Sequence, residues 1–208
     1  MAAEPRPKPF SMIRTFALAD IVTLGNASSG TGAIFAALAY LDDRNTRWLW
    51  LAFALLPIAL VCDVLDGSIA RWRRKHSAIG ADLDSLADVV SFGVAPAVLG
   101  FTMGMRGGWD AVLLLYFVGC GISRLARYNV TAEAISGGTG KVKYYEGTPI
   151  PTSLALGLVL AIGFSQGRIG DGLYFGVTQL GPWKLHPLAI MYAVSGSFMI
   201  STIRIPKP

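Results

Sequence analysis

Six stretches of the chain are rich in apolar side chains and contain no Asp, Glu, Lys or Arg. They are Ile21–Leu41, Trp48–Cys62, Val89–Met105, Ala111–Ser123, Gly147–Gly167 and Leu185–Ile203. A helix that crosses a bilayer needs about 20 predominantly apolar residues. The second, third and fourth stretches become long enough only if flanking polar residues join the helix. The pattern therefore predicts an all-α, polytopic membrane protein with six transmembrane helices.

The composition agrees with a membrane protein and argues against a cytosolic globular one. Of the 208 residues, 53% are hydrophobic and 15% are charged, and mean hydropathy is +0.51, whereas soluble domains carry about 25% charged residues. The 24 glycines suit close helix packing in lipid. We expect one membrane domain over residues 1–208, with an N-terminal arm and interfacial helix over 1–17 and a six-helix bundle over 18–205. The first ten residues have no apolar core, so no signal peptide is expected.

The positive charges lie in short loops and predict a topology. If the N-terminus is cytoplasmic, the inner segments hold thirteen Lys and Arg residues and the outer loops hold five. The outer ones are Arg44, Arg47, Arg106, Arg168 and Lys184. By the positive-inside rule both termini lie in the cytoplasm, and the protein belongs in the inner (cytoplasmic) membrane. This placement favours contact with lipid headgroups over nucleic acid, although the net charge is +5.

Carboxylates occur where the second and third helices must be extended. The second helix has to continue through Asp63 and Asp66, which share a face at i and i+3. The third has to begin early enough to include Asp84 and Asp88, which share a face at i and i+4. A charged side chain at the membrane centre costs about 2.5–3.5 kcal/mol. Because the connecting loop is short, we expect antiparallel helices whose four aspartates meet near the cytoplasmic surface.

Four converging carboxylates repel one another unless a cation lies among them. Hard oxygen ligands suit magnesium, manganese or calcium, and two divalent ions that share carboxylates form a clamp for phosphoryl transfer. A solvated charged loop is the alternative, and it explains Asp82 better than it explains the four. Gly67 and Ala70 lie beside the first acidic face. Their small side chains leave space between helices for a flat ring; the alternative is that they serve ordinary helix packing.

The pattern Asp63-x-x-Asp66-Gly67-x-x-Ala70-Arg71, then eight residues, then Gly80-x-x-x-Asp84-x-x-x-Asp88 resembles the signature of the CDP-alcohol phosphotransferase family. The resemblance implies the six-helix bundle of that family and a homodimer. It implies two divalent cations, Mg²⁺ or Mn²⁺ with Ca²⁺ as a further candidate. It also implies a reaction in which a second alcohol displaces CMP from a CDP-alcohol.

Four further runs resemble those family members that use CDP-diacylglycerol as donor and L-serine as acceptor. They are Ala19–Ile34, Asp84–Leu99, Ser123–Val130 and Tyr144–Ser153. The resemblance implies that Asp63, Asp66, Asp84 and Asp88 bind the metals and that Asp88 is also the catalytic general base. It assigns the CDP-lipid nucleotide to Asp63, Gly67, Ala70, Arg71, Ser77 and Gly80. Asp20, Thr23 and Asn26 of the first helix face the same end and are expected to line that pocket.

The acceptor side is expected to contain Arg124, Arg127, Lys143 and Glu146. Serine is a zwitterion, so its carboxylate needs a donor and its amine needs an acceptor. An arginine pair at i and i+3 suits the carboxylate of serine and the phosphate of the lipid. The alternatives are the ordinary positive-inside role for the arginines and a solvated loop for Lys143 and Glu146.

Two other functions remain open at this point. Another family member would take a different acceptor, such as glycerol phosphate, inositol phosphate or choline, or an archaeal ether-lipid donor. A cation transporter would use the aspartates as an ion path, which predicts carboxylates near the membrane centre and related halves of the chain. The aspartates cluster at one face instead, and the two halves show no similarity.

Overall fold

Four long apolar helices form the frame of the protein. The computed structural model describes residues 18–73, 79–136 and 144–206. The first two helices are α1 (Leu18–Asp43) and α2 (Thr46–Arg73). The third spans Gly80–Met103, and the fourth is α5 (Gly108–Ser136). Each contains a segment that is long and apolar enough to cross a membrane, and the protein is an integral membrane protein.

The predicted extensions into polar sequence are confirmed. Helix α2 continues past Asp63 and Asp66 to Arg73, and the third span begins at Gly80, ahead of Asp84. This third span consists of α3 (Gly80–Asp88), a π-helical turn (Val89–Val94) and α4 (Ala95–Met103). The π turn, which the sequence pattern did not predict, ends beside Pro96. Proline has no N–H for the usual i→i−4 bond, and the N–H of Ala95, just before it, reaches back five residues to the carbonyl of Val90.

The last two apolar stretches form helices that are shorter than predicted. Helix α6 (Leu154–Ser165) follows a 3₁₀ turn over Ile150–Ser153, and α7 (Ile190–Ile200) follows one over Pro187–Ala189. Proline lies at the start of both 3₁₀ turns, where its fixed φ is tolerated. Six apolar helical segments are therefore confirmed, but only four of those described are long enough to span a bilayer unaided.

Two short antiparallel strand pairs close the two ends of the bundle. Strand β1 (Tyr144–Glu146) pairs with β4 (Arg204–Pro206). Strand β2 (Thr178–Leu180) pairs with β3 (Trp183–Leu185). The sequence analysis predicted no strands, and each of these is three residues long inside a connecting segment.

The helices alternate in direction, so the loops fall into two groups. At one end, here called the aspartate end, lie the start of α1, the end of α2 and the start of α3. At the other, here called the opposite end, lie the α1–α2 and α4–α5 connections and the β2–β3 pair. Apolar side chains fill the space between the ends, with Leu56, Phe92, Phe117 and Tyr192 almost fully buried.

Helix α1 lies very close to the π turn. A Cβ atom added to Gly30 would lie 2.6 Å from the Cα of Ser91, so only glycine permits this approach. The hydroxyl of Ser91 donates to the backbone carbonyl of Asn26 at 2.9 Å. The contact fixes the first half of α1 against the third span, next to the aspartates.

A buried polar pair holds the opposite end together. The side chain of Asp110, at the start of α5, accepts from the backbone N–H groups of Gly107 and His186 at 2.8 and 2.7 Å. Its Oδ2 also lies 2.7 Å from Nδ1 of His186. Asp110 and His186 are 0% and 2% exposed. One carboxylate thereby joins the α4–α5 connection to the segment that leads into α7.

Replacement of Asp110 with Ala is expected to lower the free energy of unfolding by about 3 kcal/mol, because one partner of a buried pair would remain without the other. Unfolding of the detergent-solubilised protein by a denaturing detergent measures this change. Asp171→Ala is the matched control, since Asp171 also lies near His186 but is 70% exposed. Equal stability of the two variants would contradict the role given to Asp110.

Candidate active site

Three aspartates from two helices meet at the aspartate end. One carboxylate oxygen from each of Asp63, Asp66 and Asp84 can be chosen so that all three lie within 4.8 Å of one another. Asp63 and Asp66 come from the last turns of α2, and Asp84 comes from the first turns of α3. The expected antiparallel arrangement brings the two acidic faces together.

The burial of these side chains argues against a solvated loop. Asp66 and Asp88 are 5% and 7% exposed, and Asp63 and Asp84 are half-buried. Asp82, by contrast, is exposed. Buried carboxylates need a partner for their charge, and a loop in water does not provide one. The four aspartates therefore do not form an ordinary solvated surface.

The donor set fits a hard divalent cation. All three clustered side chains offer carboxylate oxygens, the ligands that magnesium, manganese and calcium prefer. The Oδ1 atom of Asp84 is buried and has no hydrogen-bond partner within the described part of the chain. A bound cation would satisfy this oxygen.

Helix α1 supplies hydrogen-bond donors to two of the aspartates. The Thr23 hydroxyl lies 2.6 Å from Oδ2 of Asp66 and 3.1 Å from the carbonyl of Ala19. The side-chain amide of Asn26 donates to Oδ1 of Asp88 at 3.1 Å. Both α1 side chains are buried. The structure thus places them against the carboxylates, so that each carboxylate is held in one orientation.

The remaining predicted nucleotide residues lie around the same end, where the structure describes them. Gly67 and Ala70 are half-buried on α2, and a Cβ added to Gly67 would meet only the side chain of Arg71, at 3.7 Å. Tight packing therefore does not require Gly67, which favours open space beside it. Arg71 is exposed, and Asp20 is buried in the first turn of α1.

Gly80 was also predicted to contact the nucleotide, and α3 begins at this residue. Ser77 lies outside the described residues.

The two predicted acceptor arginines lie on the part of α5 that runs beside α3. Ser85, next to Asp84, donates to Oδ1 of Asn129 at 3.1 Å, which fixes the end of α5 against the aspartate end. Arg124 is half-buried and Arg127 is exposed on this part of the helix. Lys143 lies outside the described residues. The backbone of Glu146 belongs to β1, and its side chain is also outside what the structure describes.

Comparison with known proteins identifies the family. Residues 16–196 match the family described as CDP-alcohol phosphatidyltransferase. The chain belongs to this family. It is accordingly a transferase, and the family resemblance seen in the aspartate pattern is confirmed.

Curated relatives within the CDP-alcohol phosphatidyltransferase family cover most of the chain. A protein of Saccharomyces cerevisiae named CDP-diacylglycerol–serine O-phosphatidyltransferase is 40% identical over 96% of this chain and 74% of its own length. A protein of the same name from Methanocaldococcus jannaschii is 31% identical over 95% of this chain and 78% of its own. Archaetidylserine synthase of Methanothermobacter thermautotrophicus is 35% identical over 92% of this chain and 70% of its own.

The sequence did not reveal two residues that fix the neighbouring helices against the third span. Ser91 and Asn129 fix α1 and α5 against the third span, but neither was predicted as a site residue. The available signal was weak: Ser91 is a polar residue in an apolar stretch, three positions after Asp88. Their partners are 65 and 44 residues away along the chain, so no local spacing reveals them.

Replacement of Asn26 with Leu is expected to lower the rate of CMP release at least ~10-fold, because Asp88 would lose the donor that orients its carboxylate, and a misplaced side chain in a reaction site costs about this much or more. The measurement is CMP release by purified protein supplied with CDP-diacylglycerol and L-serine. Ser28→Ala is the control, since this exposed hydroxyl donates to the carbonyl of Leu24 in its own helix and has no side-chain partner among the described residues. Normal turnover of Asn26→Leu would show that the reaction does not depend on the hydrogen bond from Asn26 to Asp88.

Proposed function

We propose that this protein transfers the phosphatidyl group of CDP-diacylglycerol to the hydroxyl group of L-serine and releases CMP. The observation that carries the proposal is the meeting of Asp63, Asp66 and Asp84, with Asp88 one turn further along α3. Family members that are similar over most of the chain bear the name CDP-diacylglycerol–serine O-phosphatidyltransferase. The site supports the reaction class, and the relatives support the acceptor.

Asp63, Asp66, Asp84 and Asp88 would hold two divalent cations, Mg²⁺ or Mn²⁺. When bound, such cations draw negative charge from a pyrophosphate and stabilise the leaving phosphate. The three clustered side chains supply carboxylate oxygens from two helices. Asp88 completes the set from the same face of α3 as Asp84, at i and i+4.

Asp88 is proposed to act as the general base. The serine hydroxyl oxygen attacks the phosphorus that carries diacylglycerol, the bond from that phosphorus to the CMP oxygen breaks, and the hydroxyl proton passes to Asp88. Asn26 donates to Oδ1 of Asp88, so the other carboxylate oxygen is left to take the proton. A base held in one orientation avoids reorganisation during the transfer.

The cytidine nucleotide is proposed to lie along α2 beside Gly67 and Ala70. The open space next to Gly67 supports this placement. Arg71, exposed one turn beyond Gly67, is available for a phosphate or a base edge. Asp20 and Thr23 are buried in α1 at the same end and would bound the pocket from the other side.

The serine carboxylate and the lipid phosphate are assigned to Arg124 and Arg127. Both lie on the part of α5 that the Ser85–Asn129 contact fixes against the aspartate end. A guanidinium binds a carboxylate through two parallel hydrogen bonds, which a lysine ammonium does not. We assign Lys143 and Glu146 to the same acceptor region from their position in the sequence.

The membrane placement follows from the charge pattern and from the substrate. Thirteen Lys and Arg residues on one side against five on the other support a cytoplasmic aspartate end, in the inner membrane of the cell. The acyl chains of the donor would remain in lipid while the headgroup enters between helices. We further propose that two copies form a homodimer, as the family resemblance implies.

One observation favours a second donor. The relative named archaetidylserine synthase is about as similar to this chain as the other archaeal protein. An archaeal ether lipid joined to CDP would present the same pyrophosphate to the aspartates and the same serine acceptor to α5. The acceptor is therefore better supported than the hydrocarbon part of the donor.

The proposed function is tested by CMP release from purified protein in detergent. CDP-diacylglycerol is offered with serine, glycerol 3-phosphate, inositol phosphate or choline, and the CDP-linked ether lipid is offered with serine. We expect serine to give at least ~10-fold more CMP than the other alcohols, because a site built for specific polar groups rejects analogues that leave them unpaired. A preference for glycerol 3-phosphate or inositol phosphate would overturn the serine assignment and leave the family chemistry intact.

The same assay locates the serine site. At least one of Arg124→Lys and Arg127→Lys should raise KM for serine more than KM for the lipid donor, because the paired hydrogen bonds to the carboxylate are lost. Arg47→Lys, on an exposed residue at the start of α2, is the control. Unchanged serine kinetics in both variants would show that the carboxylate binds elsewhere.

Asp66→Asn is expected to lower turnover by at least about 100-fold, because a neutral amide cannot replace a carboxylate ligand or its charge. Asp82→Asn should behave like the parent, since Asp82 is exposed on α3, two positions before Asp84, and lies outside the cluster. Turnover should stop in excess chelator and return when Mg²⁺ or Mn²⁺ is added. Full activity of Asp66→Asn, or of the parent in chelator, would contradict the metal assignment.

A further inference from the structure

The opposite end of the bundle contains a cavity that the proposed reaction does not use. Its volume is about 530 Å³. Two connections form its walls: the residues between α4 and α5, and the segment that carries the β2–β3 pair. Thr102 lines the cavity and follows Asp84 by 18 positions along the third span. At ~1.5 Å per helical residue, the cavity lies roughly 25 Å from the aspartates.

The charges that line this cavity are mostly positive. Arg44, Arg106 and Lys184 contribute three cations, and Asp171 contributes one anion. Among the described residues, the ion pairs found at this end join His186 to Asp110 and to Asp171. None of the three cations has a described carboxylate within ion-pair distance. The cavity therefore carries positive charge that its lining does not balance, which favours an anionic ligand.

Aromatic rings hold two of the cations in place. The guanidinium of Arg44 lies over the ring of Tyr40, with 5.7 Å to the centroid. That of Arg106 lies over Phe101, with 5.4 Å to the centroid, and its Nε donates to the carbonyl of the same residue. A guanidinium that is already oriented loses less freedom when it binds a ligand.

A buried ring nitrogen adds a polar group to the wall. His186 lines the cavity and is 2% exposed. Its Nδ1 lies against Asp110, and its Nε2 has no hydrogen-bond partner within the described residues. Buried polar atoms without a partner are uncommon. When Nδ1–H is directed to Asp110, Nε2 is an acceptor, so a hydroxyl group of a ligand, such as that of a glycerol headgroup beside the phosphate, can supply the missing partner.

The tryptophans beside the cavity indicate its depth in the membrane. Trp183 lines the cavity and lies against Trp109, with 5.4 Å between ring centroids. The indole N–H of Trp109 donates to the carbonyl of Leu180. Tryptophan concentrates at the level of the lipid headgroups. A cationic cavity at this level meets the phosphates of the surrounding phospholipids.

We propose that this cavity binds the phosphate group of an anionic phospholipid in the leaflet opposite the active site. Arg44 and Arg106 would donate paired hydrogen bonds to the phosphate oxygens, Lys184 would add a third cation, and the acyl chains would leave along the apolar surface of the bundle. Free inorganic phosphate has the same chemistry, and the experiment separates the two sources.

The test measures lipid binding, so it does not depend on the proposed reaction. Phosphatidylglycerol, diacylglycerol with the same acyl chains, and inorganic phosphate are each titrated into the purified protein in a neutral detergent. Native mass spectrometry counts the bound molecules. The parent is compared with a triple variant (Arg44→Gln, Arg106→Gln, Lys184→Gln) and with Arg168→Gln, an exposed cation near the same end that does not line the cavity.

We expect the parent and Arg168→Gln to bind phosphatidylglycerol at least ~10-fold more tightly than the triple variant, because charge-assisted hydrogen bonds to phosphate are lost. Diacylglycerol should not distinguish the three proteins. Binding at the aspartate end is common to all of them, so the difference reports the cavity. Inorganic phosphate that binds the parent alone and displaces the lipid would support a phosphate site with a soluble ligand.

Equal phosphatidylglycerol binding by the parent and the triple variant would overturn the proposal. The three substituted side chains are exposed, so the triple variant should unfold like the parent and release CMP at the parent rate. If it does not fold, Arg44→Gln and Lys184→Gln alone allow the same comparison. Equal loss of binding in Arg168→Gln would mean general surface charge and would also overturn the site.

Discussion

The energetic cost of a carboxylate inside an apolar helix governs the arrangement of this protein. At the membrane centre each charge costs about 2.5–3.5 kcal/mol, so the aspartates lie in the last turns of α2 and in the first part of the third span, within α3. Even there Asp66 and Asp88 are buried, and they need partners. Helix α1 provides them through Thr23 and Asn26.

The approach of α1 to the third span depends on a single missing side chain. Gly30 lets the helix lie against Ser91, and the Ser91 hydroxyl then holds the carbonyl of Asn26. The amide of Asn26 reaches Asp88 from this position. Packing in the apolar part of the bundle thus determines the orientation of the Asp88 carboxylate, one turn away.

Much of the fold and of the site could be predicted from the sequence, because both depend on local spacing. Charge-free stretches gave the apolar helices, and the spacing of Asp63, Asp66, Asp84 and Asp88 gave two acidic faces that meet. The pairing of Asp110 with His186 could not be predicted, since 76 positions separate them. The three-residue strands also left no pattern, because they are too short for an alternation of polar and apolar residues.

The π-helical turn affects how sequences of relatives can be aligned with this one. A π-helical hydrogen bond joins residues i and i+5, so the turn contains one residue more than an α-helical turn. Each extra residue rotates the helix that follows by ~100° about its axis. A relative with a continuous α-helix here would therefore keep its aspartates in register with α3 and need a gap of one position between Asp88 and Pro96. Without that gap, every residue of the outer half of the span would be matched to a neighbour on a different face of the helix.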